Sequence, residues 1–259
     1  MIKFFRHIRL RLLTQASSDK VRQRMIKENR FSRYMLYAIG EIVLVVIGIL
    51  IALQINTWNN ARVDNERAQD YIEKLKLQLD GNIRTVDVEI VKIESWYKIT
   101  LSLLPIIGTD TTANIDEKID SLIMANCHDY HLNLDMNTIT EGRENGNMAL
   151  ISSDSIRQSI YQVARVNERV KERERITNED LNTLFTPYLN RNYNYRNLVS
   201  KRYADERIGV SKTYSGDNYK MLKDQEFENH IASRMEYNVG MLREYRHVRT
   251  VLKNAVEML

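Results

Sequence analysis

The sequence predicts an all-α protein in which one transmembrane helix continues into a helical bundle with long antiparallel helices. An apolar run of 21 residues, Met35–Ile55, carries a single charge, at Glu41. The 259 residues include only nine glycines and two prolines, which is below the average usage of roughly 7 % and 5 %. Beyond Trp58, apolar residues recur at intervals of three and four, the period of an amphipathic helix. No alternating pattern of a strand competes with it.

The apolar run is long enough to span a membrane, because a helix needs about 20 apolar residues to cross about 30 Å of hydrocarbon. Tyr34 and Tyr37 lie at one end and Trp58 at the other, as interfacial anchors would. A buried core helix is disfavoured because the run is apolar on every face. A cleaved signal peptide would have an apolar region of about 7–15 residues and a small-residue cleavage site. We therefore predict an uncleaved signal anchor at residues 34–58.

The charge distribution predicts the orientation of this helix. Residues 1–33 contain ten Lys and Arg against two acids, a net charge of +8, so the remainder of the +4 chain carries −4. The positive-inside rule places such a basic flank in the cytoplasm. We expect residues 1–33 to be a cytoplasmic arm and residues 59–259 a domain on the far side of the membrane.

The start of the arm has the pattern of an amphipathic helix lying on a membrane surface. Apolar positions within the first twelve residues fall on one stripe, with basic residues opposite and beside it. Such a helix would bind an anionic inner leaflet. Nucleic-acid binding has no motif to support it, and we expect none. The predicted membrane-surface contacts are Lys3, Phe4, Phe5, Arg6, Ile8 and Arg9.

One face of the membrane helix combines its single acid with small residues. Glu41, Gly48, Ala52 and Ile55 are spaced by seven, four and three, which places them on the same side of a helix. The pair Gly48 and Ala52 would allow two helices to approach closely. Three interpretations stay open for Glu41. It lies in an oligomer or partner interface, it reaches the headgroups near Arg33 or Arg30, or it lines an ion or proton path.

The domain at residues 59–259 begins with a predicted stalk that continues the membrane helix to Pro105. A short helix follows from Asn114 to Met124, and residues 126–136 are irregular. Another short helix from Thr138 ends before Gly146.

Two further long helices complete the predicted bundle. The segment Ser152-Ser153-Asp154 signals the start of one, which we expect to end by Pro187. Residues 188–220 show no clear period and could form an edge of the domain or a partner surface. Asp224, or Asp217 before it, opens the last helix. That helix carries apolar residues at Phe227, Ile231, Met235, Val239, Leu242, Tyr245, Val248, Val251, Leu252, Val256 and Leu259.

The most chemically suggestive cluster is Cys127-His128-Asp129-Tyr130-His131. Cysteine and histidine are metal ligands, but this spacing matches no standard zinc pattern and no second cysteine exists in the chain. A Cys–His pair could also act in catalysis, but this depends on spatial placement. We interpret the cluster as a polar loop with an incidental thiol, and we expect no metal, no cofactor and no catalytic activity.

Several segments resemble a known family. Near the N-terminus these are Lys3-Phe4-Phe5-Arg6, Asn29-Arg30-Phe31-Ser32-Arg33-Tyr34, Tyr37-Ala38-Ile39-Gly40-Glu41-Ile42 and Gly48-Ile49-Leu50-Ile51-Ala52-Leu53-Gln54-Ile55-Asn56. They resemble the N-terminal signature of domain-of-unknown-function family 6090, small membrane proteins of Gram-negative Bacteroidota. Glu141, Gly146-Asn147 and Leu150-Ile151 resemble the second motif of that family. The resemblance implies an inner-membrane location and a periplasmic helical bundle, and it implies no site residues.

Three functional hypotheses follow. The first is a non-enzymatic, membrane-anchored scaffold or interaction protein that forms a homo-oligomer or binds a membrane-protein partner. The second is a periplasmic sensor or ligand-binding module, which would need a separate output partner. The third is an enzyme that uses the Cys127–His131 cluster, or an ion- or proton-conducting oligomer lined by Glu41.

Overall fold

A computed structural model describes residues 30–109, 116–203, 207–209, 211–213 and 219–259. The chain divides into two compact units, Met1–Asp64 and Asn65–Leu259. The described residues are helical or irregular, with no strand among them. The predicted all-α class is confirmed.

The first unit contains the beginning of helix α1, Arg30–Leu103. An 18-residue stretch of this helix is apolar enough to cross a membrane, and none of that stretch is buried within the protein. Thr57 shows how a polar side chain is accommodated there, since its hydroxyl donates to the Leu53 carbonyl at 2.9 Å. In the described part of this unit, the apolar stretch of α1 is therefore not packed against other described residues.

The second unit is built from the C-terminal part of α1 and seven further helices of the described chain. These are α2 Asp116–Ala125, α3 Asn137–Glu144, α4 Asn147–Leu150, α5 Asp154–Asp180, α6 Thr186–Asn192, α7 Tyr195–Tyr203 and α8 Gln225–Met258. Two 3₁₀ turns, Leu104–Ile106 and Lys220–Lys223, join them, and a π-helical turn at Leu181–Phe185 connects α5 to α6.

The C-terminal helix α8 runs antiparallel to both α1 and α5. Residue numbers rise along α8 while they fall along the partner helix, as three inter-helix ion pairs and one close approach show. The contacts are Arg246 with Glu94 (2.8 Å), Arg249 with Asp87 (2.6 Å), Arg169 with Glu244 (3.0 Å), and the Arg173 guanidinium beside Gly240. The predicted antiparallel arrangement of long helices is therefore confirmed within this unit.

Two apolar clusters hold the second unit together. The first joins α1, α5 and α8 through buried residues such as Leu75, Ile93, Ile160, Val248 and Leu252. Fully burying a side chain of this size is worth about 1.5–3 kcal/mol, so the stripes on these three helices account for the bundle. The second cluster joins the end of α1, α2, the π turn, α6 and the start of α8, and it includes Leu103, Ile123, Phe185, Tyr188 and Phe227.

The predicted helix boundaries hold where a capping residue or glycine sets them. The Ser153 hydroxyl accepts from the Ile156 amide, and the Asp224 carboxylate accepts from the Glu226 amide, so each caps its helix. Gly146 has φ 83°, the left-handed conformation that glycine adopts without strain, between α3 and α4. Asn114, the predicted cap of α2, lies outside the described residues.

The prediction that the helix from Ser153 ends by Pro187 is wrong in one respect. The α-helix ends at Asp180, but the backbone continues as a π turn and then as α6 to Asn192. Pro187 is the second residue of α6, directly after the π turn, so this proline does not end the helical backbone. The helical backbone thus changes from a π turn to an α-helix just before this proline.

The first residues of the segment predicted to be an edge or a partner surface, 188–193, contribute to the core. Tyr188, Leu189 and Tyr193 are buried in the second apolar cluster. The hydroxyl groups of the two tyrosines are also hydrogen-bonded, since Tyr188 donates to Asp224 at 2.7 Å and Tyr193 donates to Asp120. The tyrosines looked polar in the sequence, but their rings fill the core and only the hydroxyls need acceptors.

Candidate functional site

The predicted interface residues lie uncovered on the apolar part of α1. Glu41, Gly48, Ala52 and Ile55 are all exposed in the single chain. A side-chain carbon built on Gly48 would meet no atom of the described chain within 4 Å. The face can therefore receive another helix without rearrangement of the described residues.

The predicted interfacial anchors are exposed as well. The exposed fraction is 74 % for Tyr34 and 68 % for Trp58, and Tyr37 is also exposed. The predicted membrane-surface contacts Lys3, Phe4, Phe5, Arg6, Ile8 and Arg9 lie outside the described residues.

In the second unit, the irregular segment 128–136 is held by side chains rather than by backbone partners. The Asn178 amide group accepts from the Tyr130 N–H and donates to the Tyr130 carbonyl, both at 2.9 Å. Asn82 does the same for Asp135, at 2.8 and 2.7 Å. Each asparagine side chain thus satisfies the N–H and the carbonyl group of one residue, as a neighbouring strand would do in a sheet.

Glu174 fixes the middle of the same segment. Its Oε1 atom accepts from the Leu132 N–H at 2.7 Å and from the Tyr245 hydroxyl. Burial raises the pKa of this carboxyl group, and the two hydrogen bonds lower it to a smaller degree. The carboxylate links α5, segment 128–136 and α8 at one point.

A buried polar network continues from Tyr130 across the bundle. The Tyr130 hydroxyl donates to Asn238 Oδ1 at 2.7 Å, and Asn238 Nδ2 donates to the Thr100 hydroxyl at 3.3 Å. Thr100 in turn donates to Asn126 Oδ1 at 2.7 Å. The network connects α8, α1 and the end of α2 inside an otherwise apolar interior.

Arg234 is fully buried beside this network. Its Nη2 atom donates to the His128 carbonyl at 2.5 Å, and its guanidinium lies 5.4 Å from the centre of the Tyr130 ring. Nε and Nη1 make no hydrogen bond to the described residues. The His128 ring stacks on Trp96 with the two centroids 3.7 Å apart. The cation is therefore stabilised mainly by a carbonyl and an aromatic face.

The Cys127–His131 cluster is dispersed by the fold. His128 faces Trp96, while Cys127 packs against the second apolar cluster with its thiol 3.5 Å from the Ile123 carbonyl. His131 is exposed and lies 3.9 Å from Asp129. In the part of the chain that the structure describes, no three of these residue types are placed to share a metal ion.

A surface cavity of about 190 Å³ opens between α1 and α3. Its α1 wall includes Arg67, Asp70, Tyr71 and Lys74, which follow one another at helical spacing. The α3 wall includes Glu141, and Asn147 from α4 also borders the cavity. Glu141 and Asn147 belong to the second family-like motif of the sequence.

Sequence reasoning did not find Arg234 or Asn238. It selected the apolar neighbours Met235 and Val239, yet Val239 is exposed while Arg234 and Asn238 are buried. The available signal was the spacing, because positions 227, 231, 234, 238, 241 and 245 form one continuous helical stripe. A polar residue inside such a stripe indicates a buried hydrogen-bonding site.

A family model described as "Family of unknown function (DUF6090)" matches residues 41–184, more than half of the chain. The chain belongs to this family. No curated protein and no solved structure matches the sequence.

The DUF6090 match covers the apolar part of α1 and also the cavity and the irregular segment of the second unit. It begins at Glu41 on the apolar part of α1 and extends through both cavity walls and segment 128–136 to the π turn. It ends before α8, so Arg234 and Asn238 lie outside the matched residues. The family assignment therefore supports the sequence resemblance and assigns no activity to any residue.

The burial of His128 makes the stability of this DUF6090 protein depend on pH. Burial, and to a smaller extent Arg234, lower the pKa of His128 from 6.5 to about 3. The unfolded chain thus binds a proton below pH 6.5 that the folded chain does not bind. Folding stability should fall by about 1.4 kcal/mol per pH unit from this group as the pH decreases from 6.5 towards 3.

We expect His128→Phe, which keeps the stacking on Trp96, to remove this dependence. Between pH 6.5 and 5, the variant should lose about 2 kcal/mol less unfolding free energy than the parent protein. Glu174 acts with the opposite sign, because its raised pKa favours the folded state on acidification, and it cancels in the comparison. Chemical denaturation at several pH values measures the difference. His131→Phe, at an exposed site in the same segment, is the control, and equal slopes for the parent and His128→Phe would contradict the assignment.

Proposed function

We propose that this protein is a non-enzymatic, membrane-anchored helical scaffold that assembles through its transmembrane helix. The observation that supports the proposal is the apolar part of α1, of which no part of an 18-residue stretch is buried in the protein. The face formed by Glu41, Gly48, Ala52 and Ile55 would make the contact. Helices associate in lipid by close packing of small residues, since lipid tails remove any hydrophobic advantage.

In the proposed topology, residues 1–33 lie in the cytoplasm, residues 34–58 span the inner membrane, and residues 59–259 are periplasmic. The net charge of +8 before the apolar run supports this orientation. The arm at Lys3–Arg9 would then contact the anionic inner leaflet. The partner is a second copy of the chain or another membrane protein with a matching small-residue face.

We expect Gly48→Leu to weaken the assembly at least tenfold, because a leucine side chain would separate the two backbones. Native mass spectrometry of the protein in lipid nanodiscs would show a shift from oligomer to monomer. Gly40→Leu is the matched control. Gly40 lies on the same helix with no described atom near its side-chain position, but about 80° away from Gly48 around the axis at 100° per residue.

The result also separates the two kinds of partner. A discrete homo-oligomer that Gly48→Leu dissociates supports self-association. A complex with a different chain, lost in the same variant, supports a membrane-protein partner. An unchanged assembly in Gly48→Leu, or a parent protein that is monomeric and captures no partner, would contradict the proposal.

A ligand-binding role of the second unit is a further candidate, favoured by the cavity between α1 and α3. A ligand that binds there should raise the melting temperature of the protein.

A further inference from the structure

We propose that the cavity between α1 and α3 binds a small zwitterion, a ligand that carries both a primary ammonium group and a carboxylate or phosphate. This inference goes beyond the scaffold role and does not depend on it. All lining residues belong to the second unit.

The charges around the cavity indicate this class of ligand. Arg67 and Lys74 supply two positive groups, and Asp70 and Glu141 supply two negative groups, so the formal charges balance. An ion of a single sign would be attracted by one pair and repelled by the other. A ligand with both signs can pair its ammonium with the carboxylates and its anionic group with the basic side chains.

A buried hydroxyl group provides the second observation. Tyr71 lines the cavity and is only 4 % exposed, and its hydroxyl makes no hydrogen bond to the described residues. Polar atoms buried without a partner are rare, because they lose their hydrogen bonds to water. Burial raises the pKa of Tyr71 to about 12, so the group keeps its proton and can donate to a bound anion.

Gly142 explains how this hydroxyl comes to lie at the cavity. A side-chain carbon at Gly142 would overlap the Tyr71 hydroxyl and its ring, so only glycine allows the ring to pack against α3. Gly142 lines the cavity next to Glu141. Tyr71 on the α1 wall therefore requires a glycine at position 142 of the α3 wall.

Two sources offer the required chemistry. One is a free α-amino acid, and the other is the phosphoethanolamine headgroup of a membrane lipid. The chain reaches Arg67 nine residues after Trp58, the predicted end of the membrane segment. In both ligands the N–H groups of the ammonium can donate to Asp70 and Glu141, whereas the quaternary nitrogen of choline has none to donate.

Isothermal titration calorimetry of the full-length protein in a neutral detergent tests the proposal. The probes are the standard amino acids, O-phosphoethanolamine, phosphocholine, ethanolamine and inorganic phosphate. We expect at least one zwitterion with a primary ammonium to bind at least tenfold more tightly than phosphocholine, ethanolamine or phosphate. If an amino acid binds most tightly, the ligand is a free amino acid. Phosphoethanolamine as the tightest ligand identifies the headgroup, and nanodiscs that contain phosphatidylethanolamine should then raise the melting temperature relative to phosphatidylcholine nanodiscs.

Variants of the cavity locate the site. Glu141→Gln, Lys74→Met and Tyr71→Phe should each weaken binding of the preferred zwitterion at least fivefold while the melting temperature of the ligand-free protein stays close to that of the parent. Glu144→Gln on α3 and Lys76→Met on α1 are the controls, since both residues are exposed and neither lines the cavity. The controls should bind as the parent does.

Three results would overturn the proposal. They are no binding of any zwitterion with a primary ammonium at millimolar concentration, equal binding of phosphocholine, ethanolamine or inorganic phosphate, and equal losses in the control variants. The oligomer measurement on the same proteins keeps the two proposals separate. Glu141→Gln should leave the assembly intact, and Gly48→Leu should leave zwitterion binding intact.

Discussion

Gly142→Ala should destabilise the second unit by about 1–3 kcal/mol, the cost of overpacking against a buried ring. The added carbon would overlap the Tyr71 hydroxyl together with two ring carbons, Cζ and Cε2. A shift of the hydroxyl alone would not relieve the contact. The ring is buried in the first apolar cluster, so moving it away from Gly142 disturbs the packing between α1 and α3. Chemical denaturation of the full chain in detergent, followed by circular dichroism, measures the loss.

Gly240→Ala is the matched control for this substitution. Gly240 also lies inside a helix, and its new carbon would meet only Arg173 at 3.7 Å, an ordinary contact. Here the better helix propensity of alanine should stabilise the protein by about 0.5–1 kcal/mol. A smaller residue at Tyr71 should restore part of the stability lost in Gly142→Ala. A Gly142→Ala variant as stable as the parent would show that Tyr71 does not pack closely against Gly142.

Glu174→Leu should cost about 2–4 kcal/mol. It leaves the Leu132 N–H and the Tyr245 hydroxyl without their acceptor, and each buried donor without a partner costs about 1–3 kcal/mol. The burial cost of the carboxylate itself, visible in its raised pKa, is removed at the same time and offsets part of the loss. The unfolding free energy of Glu174→Gln should lie between those of the parent protein and Glu174→Leu. The amide oxygen of glutamine can accept a hydrogen bond, but its NH₂ group introduces a new buried donor.

Glu172→Leu is the control for this second prediction. Glu172 lies two residues away on the same helix, is exposed, and pairs with Arg175 on the surface. A surface substitution of this kind should change stability by less than about 0.5 kcal/mol. The difference between the two variants isolates the buried acceptor. If Glu174→Leu is no less stable than Glu172→Leu, then segment 128–136 is not held by this carboxylate.

The elements that could be predicted are those with local signals. Ser153 and Asp224 cap their helices through bonds to amides two or three residues away, and Pro105 stops a helix through its own ring. The apolar stretch of α1 that is long enough to cross a membrane follows from length and composition alone. Each of these features depends on residues close together in the sequence.

The parts that escaped prediction depend on contacts between distant residues. Tyr130 bonds to Asn238, which is 108 positions away, and no pattern near either residue indicates the other. The cavity has the same origin, because its α1 and α3 walls read in the sequence as ordinary polar helix faces. The charges become a site only when those two faces meet.

The way segment 128–136 is fastened has a consequence for the alignment of the long helices. An apolar stripe that repeats every three or four residues would pack almost as well after a slide of one turn, about 5.4 Å. The side-chain oxygens of Asn82, Asn178 and Glu174 each accept from one backbone N–H of segment 128–136, and these hydrogen bonds cannot survive such a slide. The irregular segment therefore fixes the axial position of α1 relative to α5. The hydrogen bond from the Tyr245 hydroxyl to Glu174 fixes the position of α8 in the same way. The apolar stripes hold the helices together, and this seam of polar contacts selects the single alignment in which they do so.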